Sequence, residues 1–207
     1  MLSLAAVAAA ALMALVGVGS ASAAELCSTS TTPCSGTKYL SGTTFHAELE
    51  SGTLATLTNS ISNVTCEKST VAGKTTSNGG SGTTITGEIT GLTFTSNCKT
   101  ASGTACTVTV INLPYPATIS GGGTAEGSKS TLTVSDPSGA GATVVCGFLI
   151  NCTFTTTDAT LTVTNQPGGT PTVSASVNLS RSGGFCPSTS TWDAAYIIDS
   201  PDPLFVV

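Results

Sequence analysis

Few side chains in this chain could do chemistry. His46 is the single histidine among 207 residues, so a Ser-His-Asp relay or an imidazole-held metal would have to be built around it. It alternates with Glu48 and Glu50, which on a strand places all three on one face at intervals of ~6–7 Å. That spacing is wide for one ion, and no Gly-x-Ser-x-Gly elbow accompanies the abundant serines. His46 is therefore expected to be a polar residue on the solvent face of a half-buried strand. Asp199 and Asp202 flank Pro201 and carry oxygens of the kind calcium uses, but a Pro/Asp turn accounts for them equally well. Glycoside hydrolysis needs two facing carboxylates in unlike environments, and spacing singles out no pair among the 11 acids. Tyr39, Tyr115, Trp192 and Tyr196 are the rings available to stack on a sugar, and Trp192 and Tyr196 are expected in the core. Gly73-Lys74-Thr75 ends like a phosphate-binding loop, yet Lys68 stands where that loop needs glycine. Sequons at Asn63, Asn151 and Asn178 bear on function only in a eukaryotic host. The expectation is of no catalytic residue, no cofactor and no metal.

The cysteines carry more information. All 8 lie beyond residue 24: Cys27, Cys34, Cys66, Cys98, Cys106, Cys146, Cys152 and Cys186. An even set suits disulfides in an oxidising compartment, whereas a zinc site would want Cys-x-x-Cys spacing and more histidine. Proximity in sequence suggests Cys27/Cys34, Cys98/Cys106 and Cys146/Cys152, leaving Cys66/Cys186 to close a long loop, among the 105 connectivities that eight cysteines permit.

Residues 1–23 read as a secretory leader. Leu2 to Gly19 is apolar and uncharged, and Ala21-Ser22-Ala23 is a small-x-small site suited to cleavage after Ala23; a retained membrane anchor is the competing reading. Glu25 and Leu26 before Cys27 do not form a lipobox. Beyond the leader no apolar run approaches membrane-spanning length, so residues 24–207 are expected to be one soluble extracellular domain, secreted or at the cell surface. Charged residues make up 8% of the chain against a usual ~25%, and hydroxyl side chains take their place. The net charge of −5 and the 6 scattered Lys and Arg give no basic stripe for phosphates, which excludes nucleic acid as a partner.

Alternation of apolar and hydroxyl residues with period two runs through most of the chain. It is clear in Phe45/Ala47/Leu49, in Cys106-Thr107-Val108-Thr109-Val110 and in Val173/Ala175/Val177/Leu179. Lys68 to Gly82 reads as an exposed polar loop, Val144 to Ile150 as a strand buried on both faces, and Trp192 to Tyr196 as the one place for a helical turn. About ten short strands broken by Gly, Asn and Pro predict an all-β domain, either a β-sandwich or a Greek-key barrel.

Phe45-x-Ala47-x-Leu49, Asn63-Val64-Thr65-Cys66, Cys106-Thr107-Val108-Thr109-Val110, Trp192-Asp193-Ala194-Ala195-Tyr196 and the ending Pro203-Leu204-Phe205-Val206 resemble a group of uncharacterised exported, disulfide-rich β proteins of actinobacteria. That resemblance spans most of residues 24–207 and implies export, with no activity attached. Phe45, Val64-Thr65-Cys66 and Asn112-Leu113-Pro114-Tyr115 are also similar to exported activators of alkane oxidation, which implies action at the cell surface. The functional expectation is a non-catalytic exported or surface module that binds an extracellular polymer, a protein or an apolar interface. The alternatives are a secreted carboxylate-dependent hydrolase and a pilin-like matrix subunit.

Overall fold

The computed structural model describes residues 24–80, 83–182 and 186–207; the expected leader, residues 1–23, lies outside them. The described residues form β1 (Leu26–Cys27), β2 (Thr44–Leu49), β3 (Ala55–Asn59), β4 (Val64–Cys66), β5 (Lys68–Gly80), β6 (Thr83–Thr95), β7 (Lys99–Thr100), β8 (Cys106–Ile111), β9 (Tyr115–Gly121), β10 (Lys129–Cys146), β11 (Ile150–Thr164), β12 (Thr172–Ser182), β13 (Thr189–Ser200) and β14 (Phe205–Val206).

The chain is all-β, and of the two architectures expected it forms the barrel. Eight strands, β2-β5-β6-β9-β10-β11-β12-β13, close on themselves through antiparallel β12–β13 and β13–β2 pairing. Neighbours around the wall follow chain order, with β3–β4 and β7–β8 as excursions. These excursions extend the wall towards one end. There β3 replaces β2 beside β13, at Ser190–Asp193, and β8 replaces β9 beside β10, at Gly141–Cys146.

Period-two patterning sorts the two faces. On β12, Ala175 and Val177 are buried while Ser174, Ser176 and Asn178 are exposed. The same rule holds on β13, where Ala194 and Tyr196 face inward. An apolar interior with a hydroxyl exterior is the arrangement of a barrel in water; a barrel crossing a bilayer carries its apolar band outside.

Three local expectations change. Lys68–Gly80 is a strand, paired with β2 and β6, because its small residues fit where neighbours approach closely. A Cβ on Gly73 would meet the Phe45 ring at 2.2 Å, so glycine lets that ring lie across β5. Val144–Ile150 is the β10–β11 hairpin, with Cys146 opposite Ile150 and the turn Gly147-Phe148-Leu149 in solvent. Trp192–Tyr196 is strand, paired on both sides.

The disulfides are Cys27–Cys34, Cys66–Cys98, Cys106–Cys146 and Cys152–Cys186. All eight cysteines are bridged and the first pair is as expected, but Cys98/Cys106, Cys146/Cys152 and Cys66/Cys186 do not form. Sheet register is the reason: Cys146 sits directly opposite Cys106 on β8, whereas across the hairpin Cys146 faces Ile150 and Cys152 faces Val144. Four bridges place the chain in an oxidising, extracellular-type environment.

Candidate functional site

The two ends of the barrel are built differently. One end is plugged by the termini. Leu26 and Cys27 pair with Val206 and Phe205, and Ala24, Leu26, Leu204 and Val206 pack onto Ile85 and Val163. Side chains stitch the plug in place. Asn78 Oδ1 accepts from the Leu26 amide at 2.7 Å and Nδ2 donates to the Leu26 carbonyl at 3.1 Å. Asn165, 2% exposed, donates to the Gly123 and Val206 carbonyls at 2.9 Å and accepts from the Val206 amide at 3.0 Å.

The opposite end is a mouth formed by residues 59–63, 101–104, the 147–149 turn and Pro187. It surrounds a groove of about 710 Å³. Cys106–Cys146 and Cys152–Cys186 brace this end, with Cys66–Cys98 a step further in. Each closes a loop of 32–40 residues, worth ~4 kcal/mol against the unfolded chain in the entropy model.

Between plug and mouth lies an apolar cavity of about 210 Å³. Its wall includes Phe45, Ala47, Ala117, Val134, Leu161 and Trp192. Small residues contributed by several strands leave it unfilled: Ala47, Gly87, Ala117, Ala140 and Gly141 all line it. Leu57, Val64, Val144 and Phe154 border both cavity and groove and form the floor between them. The cavity exceeds the ~150 Å³ apolar cavity that stays dry and binds benzene.

The polar groups beside this wall are mostly satisfied within it. The Tyr196 hydroxyl bonds Ser69 Oγ at 2.8 Å, and burial pushes its pKa up to about 12, the Ser69 bond pulling weakly the other way. The Tyr115 hydroxyl donates to the Ile111 carbonyl and accepts from the Gly141 amide at 3.2 Å; burial raises its pKa too. Trp192 Nε1 is buried with no partner among the described residues, an unmet donor beside the cavity. One acid, Glu88, lies on the wall, and Lys74 Nζ holds it at 2.8 Å.

The residues first singled out for chemistry lie elsewhere. His46 is on the outer face of β2, with Nδ1 2.8 Å from Asp199 Oδ1 and 3.1 Å from Oδ2. No serine hydroxyl bonds to it among the described residues. Ligand atoms of His46, Glu48 and Asp199 lie within 4.8 Å of one another, so Asp199 takes the place that the spacing gave to Glu50. An irregularity in β13 between Ile198 and Ser200 brings Asp199 to this face, which strand spacing does not reveal. These three could hold a divalent cation, but both His46 and Asp199 are about two-fifths exposed and already paired. Asp202 is not in the cluster. Gly73-Lys74-Thr75 lies within β5, and Asn63, Asn151 and Asn178 are exposed. The sequence reading missed the cavity itself: inward Ala and Gly on separate strands read as ordinary core until the closed wall shows them facing one space.

Comparison with protein-family models, curated proteins and solved structures returned no match.

Proposed function

We propose that this is an exported, non-catalytic binding protein whose barrel holds a small neutral apolar molecule. The observation that carries the reading is the 210 Å³ cavity with an almost wholly apolar wall, inside a closed eight-stranded barrel, a fold wide enough to hold one small ligand. A dry cavity of that size forfeits packing that a protein under no other constraint would recover; a ligand of complementary shape restores it. Binding would be driven by burial of ligand surface, with orientation set by wall shape.

Two observations weigh against the other readings. The wall offers one carboxylate, Glu88, already tied to Lys74, so two-carboxylate hydrolysis has no second group there. Among the described residues the β12–β13 closure pairs each of the eight wall strands on both sides, so a pilin-like neighbour could add a strand at the outer edges of the short excursions β7 and β8 rather than along the closed wall. The leader-like residues 1–23 and the four disulfides support export.

The test uses 1-aminonaphthalene, a neutral two-ring fluorophore that accepts energy from tryptophan; Trp192 is the chain's one donor. Titration of oxidised protein should give saturable one-to-one energy transfer from Trp192, abolished by Ala117→Leu. Absence of saturable binding across 1-aminonaphthalene, naphthalene and octanol would refute the reading.

A further inference from the structure

We infer that the mouth of the barrel docks on a lipid bilayer and that the apolar ligand passes between bilayer and cavity at this end. This rests on the ligand-binding reading above and adds where the ligand comes from. The route follows from the asymmetry of the ends: the plug is held by backbone pairing and the Asn165 and Asn78 hydrogen bonds as well as by apolar packing, while the floor between groove and cavity is made of the buried side chains of Leu57, Val64, Val144 and Phe154, which part to admit the ligand.

The mouth has the surface chemistry of a lipid contact. At the tip of the β10–β11 hairpin Phe148 is 108% exposed and Leu149 93%, with Ile61 at 61% across the groove. Side chains of that size, so exposed on a braced turn, mark an interaction site. Loops 59–63, 101–104 and 147–149 carry no charged residue, so entering the headgroup boundary strips water from no ion.

A bilayer is a better occupant than a protein. A stable protein interface buries ~800 Å² per partner, and the three exposed apolar side chains of the mouth, Phe148, Leu149 and Ile61, present too little area for that. A wedge in lipid needs only its own apolar surface covered, as interfacial Phe and Leu do.

The experiment compares oxidised wild type with Phe148→Ser/Leu149→Ser, whose fully exposed positions leave the barrel packing untouched. Wild type should co-sediment with phosphatidylcholine vesicles, and the double variant should partition about tenfold less or weaker still. Both proteins should bind 1-aminonaphthalene in free solution with equal affinity. Transfer of that probe from vesicles to protein should accelerate with vesicle concentration in wild type and become independent of it in the variant. Probe binding without vesicle binding, undiminished vesicle binding by the variant, or association of the protein through this tip into dimers would each overturn the docking inference while leaving the cavity reading intact. Failure of wild type to bind the probe would instead overturn the cavity reading.

Discussion

Ala117→Leu separates a cavity from a filled core by the sign of its effect. Ala117 lies mid-wall, opposite Gly87 on β6 and Val134 on β10, and clusters with Tyr115, Leu161 and Ala175. At ~24 cal/mol per Å³ of cavity, 210 Å³ corresponds to about 5 kcal/mol of packing left unrealised. Leucine adds three carbons to that space, and at ~0.8 kcal/mol per buried CH₂ the gain is at most about 2.4 kcal/mol. For a domain of this length that is a rise in Tm of roughly 5–10 °C. In a packed core the same substitution overfills and costs ~1–3 kcal/mol. Thermal and denaturant unfolding of oxidised protein read the sign, with Ser176→Leu on the outer wall as a control for added hydrophobicity. A lower Tm for Ala117→Leu, or unchanged uptake of 1-aminonaphthalene by a stabilised variant, would refute the assignment of this space as a ligand cavity.

Tyr196 should ionise last of the three tyrosines in a spectrophotometric titration, near pH 12. Its folded pKa lies above the unfolded value of ~10, so the folded state keeps a proton that the unfolded state has lost. Its stabilisation is complete below pH 10 and disappears between pH 10 and 12, a fall of about 3 kcal/mol that Tyr196→Phe should abolish in urea unfolding measured across that range. Asn165→Ala strands the Val206 amide and the Gly123 carbonyl, while the Val206 carbonyl keeps the Gly123 amide at 3.2 Å, and should cost ~2–4 kcal/mol; faster hydrogen exchange at Val206 and Leu26 than in the barrel wall would locate the loss in the plug. Joint replacement of Cys106 and Cys146 by alanine should cost up to ~4 kcal/mol and raise exchange in β8, with non-reduced peptide mapping of the parent showing Cys106 linked to Cys146 alone.

Much of the barrel was legible because its strands alternate strictly: Val173 to Leu179 and Cys106 to Val110 show their inward faces without help from neighbours. Lys68–Gly80 was not, since a strand of Ser, Thr, Lys and Gly has no apolar stripe and is held by β2 and β6 on either side. The hairpin at Gly147 was hidden by apolar residues at its tip, where patterning expects polar ones; Phe148 and Leu149 break the local rule, and functional sites are where such breaks concentrate. Disulfide pairing depends on register between strands distant in sequence, so proximity gave only Cys27–Cys34. The His46–Asp199 contact likewise needs the irregularity in β13. Barrel closure, which turns scattered alanines into one cavity, is a property of the whole wall and of no single segment.

Xenon tests the central claim without presupposing a ligand, because it enters apolar cavities that water leaves empty. A crystal structure of oxidised protein under xenon pressure should show the gas inside the barrel, among Ala117, Leu161 and Trp192. A barrel interior that excludes xenon, or that holds a chain of ordered water in its place, would contradict the account.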